Sequence, residues 1–112
     1  DADLRYYRLH AAYETDVALA RITAPTYAVY ASDDFIVEPS ENIPKLRAAF
    51  AEAGNEDLTV VLLEGANHSL GRTGAVVGEG DWPQRWTRLW TRPPELYTGV
   101  VAWVRETVGL AD

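Results

Sequence analysis

Ala24-Pro25-Thr26-Tyr27-Ala28-Val29-Tyr30-Ala31-Ser32-Asp33-Asp34-Phe35-Ile36-Val37 is answered further along by Leu58-Thr59-Val60-Val61-Leu62-Leu63-Glu64-Gly65-Ala66-Asn67-His68-Ser69. Each stretch carries an apolar, β-branched or aromatic run of strand length that stops at a polar cluster. Between them, Ile43 to Gly54 has apolar residues at helical spacing. The result is a strand–helix–strand unit, whose crossover makes the strands parallel and the connection right-handed. A parallel strand is covered on both faces, which fits the apolar character of Thr26 to Ala31. In such sheets the chemistry collects just past the carboxyl ends of the strands. Asp33 and Asp34 follow the first strand and His68 follows the second, so an acid and a histidine emerge on one sheet edge.

Outward from this unit, Pro25 forces an extended approach to the first strand. Ser40 or Asn42 is placed to cap the helix, with Pro44 in its first turn. Leu46, Ala49, Phe50 and Ala53 form its inward stripe, Gly54 stops it, and Asn55-Glu56-Asp57 reads as a solvated connection. Gly65 allows the tight turn that brings His68 to the sheet edge. Upstream, residues 1–13 have helical spacing, with Asp1 and Asp3 suited to a helix N-terminus; His10 reads as a partly exposed helix position. Thr15 is placed to cap a short helix running to Ala20. Downstream, residues 71–94 read as a loop insertion rich in Gly and Trp, with Gly71, Gly74, Gly78 and Gly80 followed by Trp82, Trp86 and Trp90. Those tryptophans have helical spacing, so Pro83 to Trp90 fits one or two turns. Pro93-Pro94 starts a last helix, with Leu96, Val100, Trp103, Val104 and Val108 as its buried stripe and Gly109 at its end. The whole of 1–112 reads as one α/β domain.

Composition bounds what such a domain does. The 112 residues are 47% apolar and 24% charged, with a formal charge of −7. Those values fit a globular chain, and the acidic balance argues against a nucleic-acid surface. No apolar run approaches the roughly 20 residues of a membrane span. The absence of cysteine removes disulfides, thiol catalysis and thiolate metal sites, and leaves the compartment open. The chain starts at Asp1, lacks methionine and offers only two clear strands. Two strands are a small platform for a sheet buried on both faces. The expectation is therefore a fragment, a processed chain or the ordered part of a larger protein.

The arrangement resembles the C-terminal part of an α/β-hydrolase. In that family one strand ends in Gly-x-x-Asp followed by x-x-Val and the next ends in Gly-x-x-His. Here Ala31-Ser32-Asp33-Asp34 stands at the first position, Asp34-Phe35-Ile36-Val37 fits the Asp-x-x-Val continuation, and Gly65-Ala66-Asn67-His68 fits the second motif in full. The likeness covers roughly residues 17–70 well and the last helix loosely. Its departures are Ala31 for Gly, the long segment after His68, and the absence of a Gly-x-Ser-x-Gly elbow anywhere in the chain. The fold it implies is the strand–helix–strand–helix end of an α/β-hydrolase parallel sheet.

The resemblance implies that His68 is a general base and Asp34 the acid that orients it. A histidine suits that role because imidazole titrates near neutrality. Asp34 is preferred to Asp33 on the Asp-x-x-Val spacing, and the other aspartate is then expected to cap the loop by accepting backbone N–H bonds. The plainer alternative makes both aspartates loop acids and His68 a turn residue. The nucleophile is missing. Ser32 precedes the acid loop, Ser40 is placed to cap a helix, and Ser69 adjoins His68, which tends to point their side chains apart. None sits on a strand-to-helix elbow, and the oxyanion hole of this fold also comes from elsewhere.

The implied substrate is a small-molecule carboxylic ester, thioester or amide, attacked through an acyl-enzyme. Serine and oxyanion hole would come from a missing N-terminal portion or a second chain, with no organic cofactor or metal. His10 and His68 lack the short spacing of a metal site. Transacylase or lyase chemistry on the same fold is not separable by sequence. From a different class, the chain reads as a catalytically silent module acting by homo-oligomer or partner association through open strand edges and the tryptophan segment. Trp82, Trp86 and Trp90 are either packing area over the sheet edge or the wall of an acyl pocket.

Overall fold

The computed structural model describes residues 4–5, 15–73 and 92–110. Leu4 and Arg5 are helical; the rest of the helix expected over 1–13, His10 included, lies outside the described residues. So do Trp82, Trp86, Trp90 and most of the 71–94 loop. The described elements run α1 (Thr15–Leu19), β1 (Thr26–Ala31), α2 (Pro39–Glu52), β2 (Leu58–Leu63) and α3 (Pro94–Thr107). β1 and β2 pair in parallel, from Thr26 opposite Leu58 to Ala31 opposite Leu63. Among the described residues this is a two-stranded sheet with helices against it, an α/β arrangement.

Side chains alternate across a strand, so each sheet face has its own helix. On one face the Tyr27 ring meets Trp103 of α3, with centroids 5.5 Å apart and planes tilted by 47°. Ala31, Leu63 and Ala66 are buried on that side, with Val29, Val61, Leu70 and Leu96 around them. The other face carries α2, whose buried residues are Leu46, Ala49 and Phe50. Phe50 shares a surface groove with Leu58, and Ile43 shares one with Leu62.

Three expectations about the helices need correction. First, α2 starts at Pro39, with Glu38 at the N-cap in an extended conformation and making no side-chain cap bond. Proline suits the first helical position, because its fixed φ is helical and its missing N–H would be unpaired there anyway. Ser40 and Asn42 therefore lie inside the helix rather than capping it, and Asn42 Nδ2 donates back to the Glu38 carbonyl at 2.9 Å. Pro44 falls in the helix interior, not the first turn. Second, among the described residues α1 ends at Leu19, one residue short of the expected Ala20. Third, α3 has no fully buried residue: Leu96 and Trp103 are half-buried, whereas Val100, Val104 and Val108 are exposed. A sheet two strands wide, at about 4.8 Å per strand, is narrower than the apolar stripe laid over it.

The α2–β2 connection is also more than a solvated link. Gly54, at φ +65°, is the left-handed residue that closes α2. Around it the Gly54 N–H donates to the Ala51 carbonyl and the Asn55 N–H to the Phe50 carbonyl, the paired closure that favours glycine there. The half-buried Asn55 side chain then donates to the carbonyls of Ile22 at 2.9 Å and Ala24 at 3.0 Å. Its Oδ1 accepts the Asp57 N–H at 2.9 Å. One amide thus ties the start of β2 to the segment that feeds β1.

Candidate functional site

The carboxyl ends of β1 and β2 are stitched together beyond the strands. The ladder continues through the Ser32 N–H, which donates to the Leu63 carbonyl at 3.0 Å, and the Asp33 N–H, which donates to the Ala66 carbonyl at 2.9 Å. The Ser32 hydroxyl accepts the Gly65 N–H at 2.8 Å and donates to Asp33 Oδ1 at 2.9 Å. Gly65 has φ +65°, and a Cβ there would strain the backbone although space is open around it. The turn it permits is what returns the chain over the sheet edge. Ala66 and Arg72 then form an isolated antiparallel bridge around the segment that holds His68.

Asp34 and His68 are brought together at this edge. His68 Nδ1 lies 3.0 Å from Asp34 Oδ2 and 3.2 Å from Oδ1. The Asp34 side chain is 9% exposed and the His68 side chain 49% exposed, so a sheltered acid holds a ring open to solvent. Asp34 Oδ1 also accepts the N–H groups of Ile36 and Val37, both at 2.9 Å. These are the bonds of an Asx turn. The Asp34 pKa lies below its ordinary 3.8: the Val37 N–H is the largest cause, burial opposes it as the second largest, and the His68 bond, the Ile36 N–H and the charge of His68 add smaller lowering effects. An ionised carboxylate only accepts hydrogen bonds, so Nδ1 carries a proton, and in the neutral form of the ring Nε2 keeps its lone pair.

Asp33 has a different role. Its carboxyl is held below the ordinary value by the Thr73 side chain first and the Ser32 hydroxyl second. The expectation that the second aspartate accepts the backbone N–H groups is thus reversed. Asp34 takes both the N–H groups and the imidazole, which the four acceptor positions of one carboxylate permit. None of Ser32, Ser40 and Ser69 hydrogen-bonds the His68 ring. Among the described residues no three His, Asp or Glu side chains gather as a metal site would require.

Sequence reasoning passed over Asn67. Its Oδ1 accepts the N–H of Ser69 at 3.0 Å and of Gly71 at 3.3 Å. Its N–H donates to the Gly71 carbonyl at 2.8 Å, and its carbonyl accepts the Leu70 N–H at 2.7 Å. The signal was its type: asparagine after a strand is a turn former.

A groove of about 650 Å³ runs along α3, lined by Tyr97, Val101, Arg105 and Leu110 among others, and shares no residue with the Asp34–His68 edge. The chain matches no family model, no curated protein and no solved structure.

Proposed function

We propose that this chain is the acid-and-histidine portion of a serine hydrolase of the α/β-hydrolase type, acting on a carboxylic ester, thioester or amide. The observation that carries the reading is the Asp34–His68 contact at 3.0 Å, on the carboxyl edge of two parallel strands. In this reading Nε2 takes the proton of a serine hydroxyl as that oxygen bonds to the acyl carbon. The tetrahedral intermediate then expels its leaving group, which receives the same proton from His68. Water repeats the sequence on the acyl-enzyme and regenerates the serine. Asp34 fixes the tautomer and stabilises the imidazolium that forms at each step. The serine and the oxyanion donors are supplied by residues outside these 112, so the isolated chain does not hydrolyse esters at an enzymatic rate.

The test is mutational. In a protein that contains the elbow serine, His68→Ala lowers kcat by on the order of 10⁴-fold or more, the scale for loss of a triad base. Full activity in that variant rules the assignment out.

A second reading, association with another copy or a partner, is favoured by the exposure of Val100, Val101 and Val104 on α3 and of Val108 at its C-cap. It predicts a concentration-dependent oligomer that dissociates when Val101 and Val104 are changed to Glu. No helix among the described residues is long and apolar enough to cross a membrane.

A further inference from the structure

His68 sits inside a turn that a neighbouring side chain builds. From Asn67 to Gly71 the chain folds back on itself through four bonds, and every one of them uses Asn67. Two run from its backbone N–H and C=O, to Gly71 and Leu70. The other two converge on its side-chain oxygen, from the N–H groups of Ser69 and Gly71. His68 lies between the anchor and its partners, and its own ring is tied only to Asp34 among the described residues.

The turn does not form by default. Leu70 has φ +58°, the left-handed region that a β-carbon disfavours. A non-glycine residue persists there only when its surroundings over-determine it. The Asn67 carbonyl holds Leu70 in place at 2.7 Å, and the two Oδ1 bonds close the loop on either side of it. The His68 side chain itself is half exposed. The direction in which its ring leaves the chain is therefore set by the turn.

We infer that Asn67 is the positioning residue of this site. Its side-chain oxygen fixes the backbone at His68 so that Nδ1 meets the Asp34 carboxylate and Nε2 faces outward. The inference rests on the reading of Asp34 and His68 as an acid–base pair, and it adds a third side chain to that pair. It also separates two tasks at the edge. Asp34 preorganises its own loop through Ile36 and Val37, while Asn67 organises the facing loop. Each of the two facing loops thus has its own organising side chain.

The test uses the full 112-residue chain and proton and nitrogen-15 resonances of the His68 ring. In the wild type a protected low-field Nδ1 proton is expected, with ring nitrogen shifts of the Nδ1–H tautomer. Asn67→Ala removes that proton and gives a mixture of tautomers. The Ile36 and Val37 amide resonances stay in place, because they hang on Asp34. Asn67→Asp keeps the accepting oxygen and keeps the low-field proton. An Asn67→Ala variant that retains the wild-type resonance and tautomer overturns the inference. If Asn67→Ala fails to fold, Asn67→Asp decides: folded with the resonance supports the inference, and folded without it, or unfolded, contradicts it. A wild-type chain that lacks the resonance refutes the Asp34–His68 pairing itself, a different failure from one seen only in the Asn67 variants.

Discussion

One oxygen of Asp34 serves two masters: Oδ1 accepts the Val37 N–H at 2.9 Å and faces His68 Nδ1 at 3.2 Å. The acid that contacts the histidine is thus also the anchor of its own loop. Asp34→Asn and Asp34→Ala should separate these duties. Asparagine keeps an oxygen for the Ile36 and Val37 N–H groups, so the Asx turn survives and the thermal midpoint falls little. Its amide cannot impose the Nδ1–H tautomer, so the His68 ring reports the wrong one. In a protein with the elbow serine, kcat falls on the order of 10⁴-fold. Alanine loses the turn as well, and its midpoint falls further. Equal midpoints for the two variants would show that the Val37 and Ile36 bonds do not hold the loop.

The low pKa values of Asp33 and Asp34 set an acid limit on stability. Both carboxyls titrate below their ordinary 3.8 in the folded protein. The unfolded chain therefore binds more protons over that range, and stability rises with pH there. The contribution is complete above about pH 5 and is lost as pH falls through the ordinary value to the folded one. Thermal midpoints from about pH 6 down to about pH 2 should show this loss, and Asp33→Asn should make the curve shallower. A midpoint that rises on acidification across that range would contradict the assignment.

Asn55 and Asn67 should answer differently to the same substitution. Asn55 works through its Nδ2 donor, which reaches the Ile22 and Ala24 carbonyls. Aspartate has no donor there, so Asn55→Asp and Asn55→Ala each destabilise by about 1–2 kcal/mol, the scale for two lost bonds at a partly exposed site. Urea unfolding measures it. At Asn67, which accepts through Oδ1, aspartate is tolerated. An Asn55→Asp variant as stable as the wild type would remove the clip from the account.

Gly99 and Tyr27 form a steric pair where α3 crosses the sheet. A Cβ at Gly99 would come within 2.5 Å of the Tyr27 hydroxyl but 3.7 Å from the ring carbon that bears it. Gly99→Ala gains about 1 kcal/mol of helix propensity and loses about 1–3 kcal/mol to overpacking. In the wild type the net change is destabilising. With Tyr27→Phe the hydroxyl is gone and the same substitution becomes stabilising, by up to about 1 kcal/mol. A double-mutant cycle by chemical denaturation reads the coupling, and additive changes would refute the contact.

Local signals were the legible ones. Thr26 to Ala31 and Leu58 to Leu63 pair as their apolar runs imply. Gly54 closes α2, and Pro93-Pro94 opens α3. What escaped the sequence depends on distance or on choice among equals. Asn55 reaches carbonyls more than 30 positions away, which no local pattern encodes. The start of α2 is not legible because Pro39 needs no capping side chain, while Ser40 and Asn42 look like caps. The contact of Asp34 with His68 follows the motif spacing, but the spacing does not say which aspartate takes the backbone bonds. Two adjacent acids differ only in the direction that the strand end gives them. The exposed stripe on α3 escaped because amphipathic spacing does not say how wide the partner surface is.

The most direct test of the central claim is a denaturing intact-mass spectrum of the protein as isolated from its source, with and without a fluorophosphonate that reacts with activated serines. A second polypeptide, or a longer parent chain containing these residues, is expected to gain one probe mass, and His68→Ala to abolish the gain. A spectrum in which only the 112-residue species appears, unlabelled, would contradict it. Asp34 and His68 would then have no nucleophile to serve.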